Sequence, residues 1–394
     1  MLNFMMRRVP LVIGWFVTRL WVVLSGFSIL LYPNSEYLFG DVGLYDWWAG
    51  NIAAGLFPVN DPMWQYPPLA ALVFLAGYLI APNGVGFVFL ALLADLAIMT
   101  LLLDRGRILA NYLPAAIWLA TPLVMGPILL GRFDVFPTLA AVFALLYASS
   151  AKKFGSALAI GALLKVWPIL LLLATPKEML TKVLLWFALT FGVGSLLLSI
   201  WWEESFSFIS GQRSRGLQIE SIAALPYQLW NAGPATVDSA FQFGTIEVVA
   251  PGTTLISLVA TLVGIVLLGR LSYWRLFNKI SEVQPADIAL LALLLAIVSS
   301  RVLSPQYLVW IFGVLAVCAF NPQPNFRRVF FLISISSGLG QLIYPGWYVN
   351  FQLGGNLAVA AHTIRIITLV WATVLVWRNV SEYARNSKPV AVAY

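Results

Sequence analysis

Long apolar runs alternate with short polar ones from one end of this chain to the other. The stretches 11–31, 183–200, 255–268 and 366–377 carry almost no charge. With their flanks, each approaches the ~20 residues a helix needs to cross hydrocarbon. Read this way, the chain holds ten to twelve spans. The pattern predicts an all-α polytopic membrane protein, with residues 1–394 forming one integral membrane domain. The first run sits where a signal peptide would. No small-residue cleavage site follows it, and Trp15 and Trp21 lie within it, so it is expected to remain as the first span.

Composition sharpens this picture. With 61% hydrophobic residues, 10% charged residues and a mean hydropathy of +0.88, the chain is too apolar for a single soluble core. A net charge of +7 would suit a nucleic-acid partner if the cations covered one face. Instead, 16 of the 23 basic residues fall in short clusters between spans: Arg7/Arg8, Arg105/Arg107, Lys152/Lys153, Lys177/Lys182, Arg270/Arg275/Lys279, Arg327/Arg328 and Arg378/Arg385/Lys388. That is the positive-inside pattern, so the clusters are expected at the cytoplasmic face, and the basic balance reports topology and contact with membrane lipids, not nucleic acid.

Topology hinges on two segments. Strict alternation, with 67–81 and 154–175 as full spans, gives twelve crossings and places Arg105/Arg107 and Lys152/Lys153 outside. If 67–103 crosses once and 154–175 enters and leaves from the cytoplasm, every cluster falls inside and ten crossings remain. The break at "LLKVWP", where Lys165 and Pro168 interrupt the helix, favours ten.

The opposite face then carries two sizeable loops, 33–66 and 201–252, with short interfacial helices, and ten of the sixteen acids when Asp134 is included. The chemistry is therefore expected at the extracytoplasmic face of the cell membrane. Seven cations remain outside the clusters: Arg19, Arg132, Lys165, Arg213, Arg215, Arg301 and Arg365. Arg19, Lys165 and Arg365 lie inside apolar spans, where an ionisable group is costly and faces a cavity or a partner. Such cations at a membrane boundary suit a phosphate whose other substituent is lipid; the alternative is snorkelling or pairing with acids such as Asp95. One cysteine, Cys318, and one histidine, His362, exclude a disulfide and any multi-histidine or cysteine metal cluster. No DxD nucleotide-sugar motif is present, so no metal or cofactor is required.

In the first loop, Asp41 closes the first span and 45–51 reads as a short amphipathic helix, so only one of Asp41 and Asp46 is expected to face a site. An acid at the start of this loop is followed by "YDWWAGNIAAGLFP", "YPPLAALVF", "GRFDVFPTLAAVFALL", "GALLKVWPILLLL", "RGLQIES", "RVLSPQYLVWI" and "GQLIYPGWY" with a later arginine. In this order over residues 40–365, the motifs resemble glycosyltransferases of the GT-C superfamily. The similarity is to glycosyltransferase family 87, a bacterial group that includes polyprenyl-phosphate-mannose-dependent α-mannosyltransferases.

That resemblance implies transfer of a sugar, mannose by analogy, from a polyprenyl-phosphate donor to a hydroxyl of a glycolipid or glycan acceptor at the outer face, with inversion at the anomeric carbon. It places the general base at Asp41. Substrate contacts are expected from Tyr45, Asp46, Tyr66, Arg132, Asp134, Lys165, Arg215, Glu220, Arg301, Gln306, Tyr307, His362 and Arg365. Similar proteins often carry lysine where this chain has Arg301, which keeps the charge. Blander readings stand beside these: Arg132 and Asp134 as a turn-shaping ion pair, Arg215 with Glu220 as another, and His362 as a core histidine. A membrane transporter or lipid flippase is the rival class, since broken helices and intramembrane charges suit one too.

Overall fold

A computed structural model describes residues 2–59, 61–202, 204–211, 215–233 and 236–386; Glu203 and Arg213 lie outside the described residues. Hydrocarbon offers a backbone amide no partner but its own chain, so the apolar runs become helices. The first, α1 (Leu2–Gly26), leads to the short α2 (Gly40–Ala53), then α3 (Leu69–Ile80) and α4 (Val85–Leu109). Arg8, early in α1, pairs with Asp104, late in α4, at 3.1 Å. At the other end of α4, the Gly84 N–H donates to Asp46 in α2 at 3.0 Å. The two long helices therefore run antiparallel. At 12 residues, α3 is roughly 18 Å long, short of a ~30 Å core. It packs beside α2 and α4.

Next, α5 (Leu113–Met125) runs to a turn at 131–134 and α6 (Val135–Leu146) returns from it. α7 (Ala151–Leu164) starts at Ser150, whose hydroxyl accepts the Lys153 N–H, and stops where Lys165 turns extended at φ −157° and ψ 139°. A 3-10 helix, Trp167–Ala174, follows, with Pro168 at its start. The chain continues as α8 (Leu180–Trp201), α9 (Phe208–Gly211), α10 (Leu225–Asn231), a hairpin of β1 (Asp238–Gln242) and β2 (Thr245–Val249), and α11 (Thr253–Leu276). Buried Arg275, late in α11, donates to the carbonyls of Ala174 (2.8 Å) and Thr175 (2.7 Å). Both ends of 151–175 thus lie at the basic end of the bundle, and Lys165 sits at the turning point. This turn is the feature on which the ten-crossing reading rests.

Four further elements complete the bundle: α12 (Pro285–Val298), α13 (Tyr307–Cys318), α14 (Phe326–Gln341) and, after the short α15 (Tyr348–Gln352), α16 (Asn356–Asn386). Six helical stretches are long and apolar enough to span a membrane by themselves, so this is a multi-pass membrane protein. The apolar helices α5, α6, α12 and α13 have only 12 to 14 residues. At roughly 18–21 Å they end short of a full bilayer. α12 and α13 are almost wholly buried, whereas the longer α8 and α11 face outward. The bundle therefore has a full-length rim and a sunken centre. One element departs from the all-α expectation: the hairpin in loop 201–252, which gains a bridge from Gln218 to Glu247. Its ten residues mix polar, aromatic and aliphatic side chains and carry no span signal.

Arg19 is structural. Its guanidinium forms two 2.9 Å bonds to Asp95 and donates to the carbonyls of Trp118 and Leu119, all inside the bundle. This is the pairing alternative raised for the intramembrane cations.

The topology is testable in a Cys318→Ala background. Cysteines at positions 152 and 179 should react with an impermeant maleimide from the same side of the membrane, and a cysteine replacing Trp230, which is exposed in α10, from the other. Labelling of 152 and 179 from opposite sides would restore the twelve-crossing alternative.

Candidate functional site

The sunken centre holds a cavity of about 410 Å³, walled by α2, the 63–66 segment, the 132 and 165–167 turns, the 215–220 segment, the hairpin tip and the 302–310 segment. Each wall is placed by a local feature of the chain. At Gly131 an added Cβ would lie 2.6 Å from the Leu38 carbonyl oxygen and 2.5 Å from the Phe39 ring. Glycine lets this turn press against the start of α2. The next residue, Arg132, is 4% exposed. Its Nη1 lies 2.6 Å from Asp41 Oδ1, and its Nη2 donates to the Tyr344 hydroxyl at 2.8 Å. That hydroxyl donates in turn to the Tyr37 carbonyl at 2.9 Å.

Two residues further on, fully buried Asp134 accepts from Lys165 Nζ (2.7 Å) and Trp310 Nε1 (2.5 Å). The expected Arg132–Asp134 pair therefore does not form; each charge reaches a distant partner instead. Lys165 is 19% exposed. Its ammonium lies 5.3 to 6.0 Å from the centres of the Tyr66, Tyr307 and Trp310 rings, within cation–π range. Trp167, Trp310 and Tyr307 stack in series, giving the floor a run of aromatic faces. Opposite, the Tyr45 and Tyr66 hydroxyls are 3.0 Å apart. Burial pushes both phenols up from their ordinary range, with the neighbouring negative charge of Asp41 adding to it, so both remain hydroxyls.

On the far wall, Glu220 forms an ion pair with fully buried Arg365, not with Arg215. Burial pushes the Glu220 carboxyl up, and the charge and hydrogen bond of Arg365 oppose that shift. Arg215 instead donates to Gln65, whose Nε2 reaches the Phe243 carbonyl at the hairpin tip at 2.7 Å. Arg301 Nη1 donates to the Arg215 carbonyl at 2.7 Å. The Leu303 N–H donates to Gln218 Oε1 at 2.7 Å, tying the 218 segment to the stretch that leads into α13.

Of the sequence-predicted residues, Asp41, Tyr45, Tyr66, Arg132, Lys165, Arg215, Glu220, Gln306 and Tyr307 line the cavity. Asp134 and Arg365 lie one layer behind, each bonded to a lining residue. Arg301 braces the 215 segment from behind. Asp46 points elsewhere and caps the Gly84 amide. Asp61 ties the loop by accepting from Trp48 Nε1 (2.7 Å) and the Met63 N–H (2.8 Å). His362 is fully buried against the Phe351 ring, 4.6 Å between centres, away from the cavity. Sequence reasoning missed Gln65, Gln218, Ser304, Tyr344, Tyr348, Trp167, Trp310 and Phe243 on the lining. Several of these sit inside the quoted motifs, but without charge they gave no signal of their own.

Arg365→Met should leave Glu220 buried without a countercharge, and removing one member of such a pair costs about 3–5 kcal/mol. Thermal unfolding in detergent is expected to show a large loss, largely restored in Arg365→Met/Glu220→Gln. A double variant as unstable as the single one would mean that the pair does not set this stability.

The model of glycosyltransferase family 87 matches residues 64–305. No curated protein and no solved structure matches the chain. The matched range carries most of the cavity wall, while Asp41, Tyr344 and Tyr348 lie outside it and join the wall through geometry. The match speaks for sugar transfer over transport.

Proposed function

The chain belongs to glycosyltransferase family 87, and on that premise we propose that it moves a hexose, by resemblance mannose, from a polyprenyl-phosphate donor to a hydroxyl of a glycolipid or glycan. The transfer takes place at the extracytoplasmic face of the cell membrane. The cavity lies at the end opposite the basic clusters, which supports that placement. Asp41 is the general base. The observation that carries this is exposure: the Asp41 side chain is 40% exposed in the cavity, against 1% for Glu220 and none for Asp134. A base must reach the proton that it takes.

In the reaction, the acceptor hydroxyl gives its proton to Asp41 as its oxygen attacks the anomeric carbon. The bond from that carbon to the phosphate oxygen breaks on the opposite side, and its electron pair leaves with the polyprenyl phosphate. The configuration inverts. Cations that face the cavity meet the charge developing on the leaving group. Lys165 uses one contact on Asp134 and keeps further N–H donors. Arg215 is bonded to a neutral amide, and among the described residues it forms no ion pair. The aromatic floor and the Tyr45/Tyr66 hydroxyls suit the faces and edges of a pyranose.

Transfer from a radiolabelled polyprenyl-phosphate mannose tests the reading. Asp41→Asn should bind donor normally and lose about 10² to 10⁴ in rate, since the amide is similar in size but cannot take the proton. Asp46→Asn, whose parent residue only caps Gly84, should keep most activity. Arg215→Ala should weaken donor binding by roughly 1.5–3 kcal/mol, the worth of a charge-assisted contact. Near-normal transfer by Asp41→Asn would remove it as base, and unchanged donor affinity in Arg215→Ala would remove that residue from the phosphate.

A further inference from the structure

Arg132 is the cavity cation for which this reaction scheme provides no role. Resting on the reading of Asp41 as base, we propose that Arg132 is its positioning residue and not a ligand of the donor phosphate. The guanidinium is already turned onto Asp41 and Tyr344. Nη1 lies 2.6 Å from Asp41 Oδ1 as an ion pair, Nη2 donates to the Tyr344 hydroxyl at 2.8 Å, and Nε, like Nη1, is buried without a hydrogen-bond partner among the described residues. A phosphate could gain Arg132 only by displacing the base from it.

Asp41 needs such a holder. It lies in the first turn of α2, whose N-cap, Phe39, offers no side-chain bond, and its own side chain is 40% exposed. Among the described residues, the contact with Arg132 is the direct ion pair of this carboxylate. Without it, the carboxylate is free to exchange among staggered rotamers. With Oδ1 clamped, Oδ2 is left to take the acceptor proton. Arg132 keeps its protons throughout. The pair passes from neutral to singly positive while the leaving phosphate gains the matching negative charge.

The clamp is built on a close approach of two chain segments. Gly131 sits against the Leu38 carbonyl and the Phe39 ring, where a Cβ would come within 2.6 Å, and this sets the Arg132 backbone directly beside the start of α2. From the other side, the Tyr344 hydroxyl is itself anchored on the Tyr37 carbonyl at 2.9 Å. Arg132 is therefore braced against the very loop that presents Asp41. Gly131→Ala moves the clamp and leaves its charge in place.

The test uses full-length enzyme in nanodiscs, with polyprenyl monophosphate as the binding probe and sugar transfer as the rate. Arg132→Gln should lower kcat by about 10²-fold, the cost of a misplacement on the order of 1 Å, and leave the Kd of the probe unchanged. Arg132→Lys should recover part of the rate, and Gly131→Ala should show the same loss in kcat with unchanged Kd. Asp41→Asn/Arg132→Gln should be no slower than Asp41→Asn, because a positioning residue has nothing left to position. A weaker probe Kd in Arg132→Gln, or a further loss of rate in the double variant, would overturn the proposal. Full activity in Asp41→Asn would instead remove the base reading itself, an outcome that the binding measurement does not mimic.

Discussion

A charge in a low-dielectric interior must find its opposite, and the arrangement of this bundle follows from that constraint. Arg19 meets Asp95, Lys165 meets Asp134, Arg365 meets Glu220 and Arg132 meets Asp41. Each pair joins segments far apart in sequence. The first locks α1 to α4 and leaves no donor to spare, so it serves the fold. The other three lie at or behind the cavity wall and tie the turn at 131–134 to α2 and the Lys165 break, and the 220 turn to α16. Such pairs contribute less stability than their geometry suggests, since desolvation offsets much of the attraction. Their effect is on register: removing one partner strands the other.

The same rule separates the cations of the site by role. On the proposed reading, those closest to a carboxylate hold something in place, and those not paired with one are left to meet an incoming anion. Arg132 and Arg365 belong to the first kind; Arg215, which forms no ion pair among the described residues, belongs to the second. Lys165 stands between them, paired on one side and facing the aromatic-walled cavity on the other. Charge type alone therefore says little about which residue touches substrate; the distance to the nearest acid says more.

Much of this architecture was legible in the sequence. Hydropathy marked the long apolar helices, and the Lys165–Pro168 break marked the point where a helix ends. Nine of the expected site residues line the cavity because the motifs holding them bring charged or phenolic side chains to span ends. Partners were not legible. Nothing local tells Arg132 to reach Asp41, or Glu220 to reach Arg365 across 145 positions, because pairing is decided by packing. Asp46 misled because an acid capping a helix start reads like an acid in a site. The hairpin escaped notice because its residues, neither apolar enough to span nor patterned strictly in twos, take their strand form from contact with the 217–219 segment.

The short inner helices and long outer ones have a consequence for how the enzyme meets different membranes. Lipid touches mainly the outer shell, including α8 and α11, whose 22 and 24 residues match an ordinary bilayer. The reaction centre hangs from the inner shell, whose lengths the bilayer does not sense. A turn gained or lost in the outer helices can therefore refit the protein to thicker or thinner membranes while every distance in the cavity stays the same. Hydrophobic matching and chemistry are governed by separate sets of helices, and each is free to drift without the other.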